Sequence, residues 1–144
     1  MDAMPQRRSF SPVLSLLTLG SIWDGQLNKQ LRGLGLTTRK YGLLAHIQAT
    51  PGISFSELAR RSQITVQTAH TAVRALVDDG LAADATAHAG AASDLRVTEK
   101  GAAALAEADV RLARLDGAFS AGAPALAQAL RGLHEEPFGE DLVS

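Results

Sequence analysis

The chain has 144 residues, 46% of them hydrophobic and 20% charged, enough apolar matter for one buried core and too much for a disordered chain. Aromatic residues make up only 4%, so the core has to be aliphatic, and the absence of cysteine excludes a disulfide framework, a thiolate zinc site, a cysteine nucleophile and a thiol redox sensor. The formal net charge of −1 excludes a charge-coated nucleic-acid packager while leaving room for a locally basic reading surface.

That charge is unevenly spread. Residues 1–36 carry four basic and two acidic groups, residues 37–80 five and three, residues 81–101 two and three, and residues 102–144 three and seven. A polyanion therefore meets the first half of the chain.

Residues 1–10 read as a flexible N-terminus. Arg7-Arg8-Ser9-Phe10 ahead of the apolar stretch Val13–Trp23 imitates a twin-arginine export signal. No small-x-small cleavage site follows, and the stretch is shorter than the roughly 20 residues a membrane-spanning helix needs. The chain is therefore expected in the cytoplasm, without membrane contact. Leu16, Leu19, Trp23, Leu27, Leu31 and Leu34 step by three or four, one face of a long first helix. Ser11 is its expected cap, Pro12 lies in its first turn, and Gly35 ends it.

A second helix is expected to start at Leu36-Thr37-Thr38, to bury Tyr41, Leu44, Ala45 and Ile47, and to end at Pro51-Gly52. Ser54-Phe55-Ser56-Glu57 is a capping box in which Ser54 caps and Glu57 reaches back. It opens a short third helix with Leu58 and Ala59 inward. Ser62-Gln63-Ile64 is a tight turn, Thr65 is the next cap, and Val66, Ala69, Ala72, Val73 and Leu76 form the stripe of a fourth helix closed by Asp78-Asp79-Gly80.

Residues 81–98 lose the helical period. Leu81-Ala82-Ala83 and Leu95-Arg96-Val97 read as two short strands of a hairpin around an Ala/Gly/Ser loop. Thr98 caps a further helix striped by Leu105, Leu112, Leu115 and Phe119, and Gly122-Ala123-Pro124 breaks it. Leu126, Leu130 and Leu133 mark a last helix ahead of an acidic tail over residues 135–144. The fold class is mainly α with a small β-hairpin. A single domain covers 11–134, in which residues 37–98 form a winged helix-turn-helix lobe between long terminal helices at 11–34 and 99–134.

The order of short helix, tight turn, helix and hairpin directs attention to the exposed side of the fourth helix, which offers Gln67, Thr68, His70, Thr71 and Arg74. These side chains exchange hydrogen bonds with base edges in a major groove, with arginine for guanine or phosphate. Any amphipathic helix shows some outward Gln, Thr and Arg, so the order of elements carries the weight. Arg60 and Arg61 close the preceding helix as candidate phosphate contacts. With Ser54 and Thr65 at the helix starts and His88 and Arg96 in the hairpin, they complete the candidate DNA-contact set.

From Leu34 to Gly101 the chain resembles the MarR family of bacterial transcription regulators. The matching residues are Gly35-Leu36-Thr37, Ile53-Ser54-Phe55-Ser56-Glu57-Leu58-Ala59, the stretch Ala72-Val73-Arg74-Ala75-Leu76-Val77-Asp78-Asp79-Gly80-Leu81, and Leu95-Arg96-Val97-Thr98-Glu99-Lys100-Gly101, which follows the family's L-x-L-T-x-x-G ending of the wing. The resemblance implies a homodimer on a pseudo-palindromic operator in double-stranded DNA, usually a repressor, released by a small aromatic or phenolic effector. The terminal helices fall where the family puts its dimerisation arms, and their leucine stripes exceed what one winged core needs. In one respect the chain departs from the family: where relatives carry an Asp-Arg-Arg type wing tip, this sequence has Ala89-Gly90-Ala91-Ala92.

No catalytic set is legible. The four histidines, His46, His70, His88 and His134, show no metal-binding helical spacing, and the carboxylates of the tail form a charge run rather than an acid/base pair. No cofactor or metal is expected. An effector pocket is expected between the first helix and the DNA-binding lobe, near Trp23, Tyr41 and His46. The alternative functional class is a winged-helix interaction module with lost or weak DNA binding, favoured by the bare wing and the overall charge.

Overall fold

The computed structural model describes residues 7–88 and 90–135 and contains six α-helices and one two-stranded sheet. Helix α1 spans Pro12–Leu31; the Ser11 hydroxyl accepts the Leu14 N–H at 3.2 Å, and proline occupies the first turn. A 3-10 turn, Arg32–Leu34, extends it to Gly35, whose φ of 72° reverses the chain. Helix α2, Thr38–Ala49, starts later than its sequence signal. Thr37 is the cap, accepting the Lys40 N–H at 3.2 Å, while Leu36 leaves the helix to enter the core. The Asn28 side-chain oxygen accepts the Thr38 N–H at 2.9 Å and ties α1 to α2.

Helices α3, Phe55–Ser62, and α4, Val66–Asp78, are joined through Gln63, which adopts the left-handed φ of 54°. Ile64 then packs against the core that Leu58, Val73 and Leu76 share with Leu43, Leu44 and Ile47 of α2. Ser54 caps α3 as expected, its hydroxyl accepting the Glu57 N–H at 3.1 Å. The reciprocal half of the capping box is replaced, because the Glu57 carboxylate is committed to Arg60 and Arg61.

The wing consists of β1, Ala82–Asp84, and β2, Leu95–Val97, antiparallel with Ala82 opposite Val97 and Asp84 opposite Leu95. The first strand begins one residue later than the sequence indicates. Leu81 is buried instead, donating its N–H to Leu76 at 2.9 Å and accepting the Thr98 N–H at 3.1 Å. Thr98 caps helix α5, Glu99–Gly122, and α6, Pro124–Glu135, follows after the break.

The leucine stripe of α1 divides in two. Its C-terminal end, Leu27, Leu31 and Leu34, joins the core. Towards the N-terminus Phe10, Val13, Leu14, Leu16, Leu17, Leu19 and Ile22 are between 40% and 81% exposed. Trp23 meets Phe119 edge-on at 5.0 Å, at an apolar cleft of about 380 Å³ between α1, the end of α5 and α6. The expected flexible segment 1–10 and the acidic tail fall largely outside the described residues. No helix among the described residues is long and apolar enough to cross a membrane.

Candidate nucleic-acid interface

Helix α4 buries Ala69, Val73 and Leu76, and this turns Gln67, His70, Thr71 and Arg74 outward. Its N-terminus is organised by Thr65, which accepts the Thr68 N–H at 3.1 Å and donates its own hydroxyl to Thr68 at 2.8 Å. Thr71 donates to the Gln67 carbonyl at 3.1 Å. The Gln67 amide and the Arg74 guanidinium have no partner among the described residues and stay available to a ligand. His70 is held differently: its ring stacks on Phe55 at 3.7 Å and 19°, which locks the first turn of α3 onto the middle of α4.

Two grooves flank α4. The one towards the wing, about 510 Å³, is bordered by Ser54, Phe55, Val66, His70, Asp84, Thr86 and Ser93 and has no lysine or arginine in its lining. Its carboxylate, Asp84, is engaged by the N–H and hydroxyl of Thr86. The other groove, about 480 Å³, runs between the start of α2 and the outer side of α4, lined by Arg39, Lys40, Thr65, Gln67, Thr68 and Thr71.

The expected phosphate contacts are partly neutralised. Arg60 donates to Glu57 at 3.0 Å and Arg61 at 2.8 Å, and Arg61 also reaches the Thr50 hydroxyl at 2.8 Å. These hydrogen bonds from Arg60 and Arg61 hold the Glu57 carboxyl down at about 2, so it stays ionised throughout the neutral range. Arg96, on β2, is paired with Asp94 at 2.8 Å. His88 is exposed next to the loop tip, and its carbonyl accepts the Ala91 N–H at 3.0 Å.

The three residues expected around one effector pocket do not converge. Trp23 lines the apolar cleft beside α6. His46 lines a separate groove of about 360 Å³ with Thr38, Arg39, Ser62 and Ile64. Tyr41 donates its hydroxyl to Asp109 of α5 at 2.6 Å, and burial together with the Asp109 and Asp116 carboxylates pushes its pKa up to about 12. The physical reason is the helical period: positions 41 and 46 lie on different faces of α2, and Trp23 is more than two turns from the α1–α2 junction. Arg39 and Lys40, which line the groove beside α4, lie outside the set expected from the sequence; their signal there is an adjacent basic pair within a segment carrying five basic and three acidic groups. Among the described residues no group of three or more metal-ligating side chains is assembled.

The MarR family model matches residues 34–89, which run from the end of α1 into the wing. The HTH-type transcriptional repressor Rv2887 of Mycobacterium tuberculosis is 34% identical over 101 residues, covering 68% of this chain and 73% of the repressor. The solved structure of the Rv2887 complex with DNA superposes with a TM-score of 0.72 at 25% identity, over 90% of this chain and all of that one. The Rv2887 complex with salicylic acid gives a TM-score of 0.68 at 27% identity, over 88% of this chain and 96% of that one. The order of elements, the wing and the stretch that runs through α4 thus agree in sequence and in space, and the chain belongs to the MarR family.

Proposed function

We propose that this protein is a cytoplasmic, homodimeric DNA-binding repressor of a neighbouring gene, relieved by a small aromatic acid. The observation that carries the reading is the outer face of α4, where Gln67 and Arg74 stand unpartnered among the described residues along a capped, well-packed helix. In that reading α4 lies in the major groove, with its N-terminal half on base edges. The exposed apolar face of α1 and the cleft against α5 and α6 supply the surface for a second copy, which doubles the interface and matches a pseudo-palindromic site. The effector class follows from the relative crystallised with salicylic acid. The reading assigns the protein no catalytic step.

The test is fluorescence polarisation with a duplex from the region upstream of the gene and a random duplex of equal length. Saturable, salt-sensitive binding that prefers the upstream duplex and weakens on adding salicylate supports the reading. A second reading, a winged-helix interaction module, is favoured by the ion pairs that occupy Arg60, Arg61 and Arg96 and by the cation-free groove at the wing. Failure to bind either duplex at low salt would decide for it.

A further inference from the structure

We propose that Arg39, at the start of α2, is a DNA phosphate contact, and that this face of the protein takes over the electrostatic work a cationic wing would do. The inference rests on the DNA-binding reading above and adds to it the location of the charge.

Three arginines near the reading face are hydrogen-bonded to carboxylates of the protein. Arg60 and Arg61 share Glu57, and Arg96 holds Asp94. Arg96 and Asp94 cancel one another, and the single Glu57 carboxylate offsets one of the two charges of Arg60 and Arg61; both arginines spend hydrogen bonds on it that a phosphate would otherwise take. Lys40 is partly occupied as well, lying 3.7 Å from Asp79. Arg39 has no such partner among the described residues and is exposed. It borders two grooves, one against Thr65, Gln67, Thr68 and Thr71, the other against the α3–α4 turn at Ser62 and Gln63.

That position decides the role. A helix entering the major groove by its N-terminal half is flanked by the sugar-phosphate backbone, and a cation beside that half meets phosphate rather than base. Arg39 stands there on the side of α4 away from the wing. Arg74, the other unpartnered arginine near the reading face, is two turns further along α4. The wing-side groove has no lysine or arginine in its lining, whereas the groove on the α2 side of α4 has Arg39 and Lys40.

The experiment is the salt dependence of binding to the upstream and random duplexes by the full chain and its Arg39→Ala and Arg39→Lys variants, with thermal melting as the check on folding. Each phosphate contact contributes about 0.9 to the slope of log affinity against log salt, so a dimer of Arg39→Ala should lose about two units. It should weaken on both duplexes alike, and Arg39→Lys should retain most of the slope. An unaltered slope and affinity for folded Arg39→Ala, or a loss confined to the upstream duplex, overturns the assignment while DNA binding itself stands. If the unsubstituted protein binds neither duplex, the functional reading fails and the inference falls with it.

Discussion

Replacing Gly101 by alanine tests whether the close approach of α5 to the wing is a structural necessity. A Cβ at position 101 would lie 2.0 Å from the Leu81 carbonyl oxygen and 2.9 Å from both the Leu81 carbonyl carbon and Val97 Cγ1. Carbon and oxygen are comfortable near about 3.3 Å, so α5 or the Leu81 turn has to shift by about 1 Å. The Leu81 carbonyl also accepts the Thr98 N–H at 3.1 Å, Thr98 donates its hydroxyl to Gly80, and Gly101 donates its N–H to Thr98 at 3.0 Å. Overpacking of this kind costs about 1–3 kcal/mol and a weakened hydrogen bond about 1 kcal/mol, against a gain of about 1 kcal/mol from alanine's helix propensity. The expected net loss is about 1–3 kcal/mol, a large share of the roughly 5–15 kcal/mol a domain commands. Urea unfolding at one fixed protein concentration reads it, because the stability of a dimer depends on concentration. Gly42→Ala is the matched control: it lies inside α2, its Cβ would meet nothing within 4 Å, and it should gain up to about 1 kcal/mol. A Gly101→Ala protein as stable as the parent, with an unchanged m-value, would refute the reasoning.

Tyr41→Phe removes the bond from α2 to Asp109 and should cost about 1 kcal/mol or less at neutral pH, since solvent screens so open a contact. The Tyr41 pKa is raised from 10.0 to about 12, so its contribution is complete below pH 10 and disappears as pH rises through 12. Melting curves should show an alkaline loss in the parent that the variant lacks, and identical profiles would count against the bond. Gln67→Ala should cost about 1–3 kcal/mol on the operator and relax preference at one base position while leaving random DNA unaffected; an unchanged operator affinity removes Gln67 from base readout. Leu16→Glu combined with Leu19→Glu places charge on the exposed α1 face and should yield a folded monomer at micromolar concentration by sedimentation, and a persistent dimer would locate the interface elsewhere.

The local devices of this fold were legible in the chain itself. Ser11, Ser54, Thr65 and Thr98 act within three residues of their partners, so a capping hydroxyl and the stripe that follows it specify a helix without reference to anything distant. The same holds for the α3–α4 turn and the outer face of α4, because a helix that buries Ala69, Val73 and Leu76 has no choice about which residues point away. The family resemblance lay in these same stretches.

Only the tertiary structure decided how charge and apolar surface are distributed. Glu57 has the same spacing whether it reaches back to its cap or forward to Arg60 and Arg61, and the difference is a side-chain torsion that engages both arginines and offsets one of their two charges. Arg39 is 28 residues from Gln67 in sequence yet lines the same groove, because α2 and α4 share a core. Tyr41 meets Asp109 across 68 residues, and Gly101 is required by a carbonyl twenty residues earlier. The leucine stripe of α1 carries one period from end to end, and the period cannot show that the fold covers only its C-terminal part. Periodicity and capping are properties of a few neighbouring residues, whereas ion pairing, close approach and unfilled apolar surface depend on which segments the core brings together.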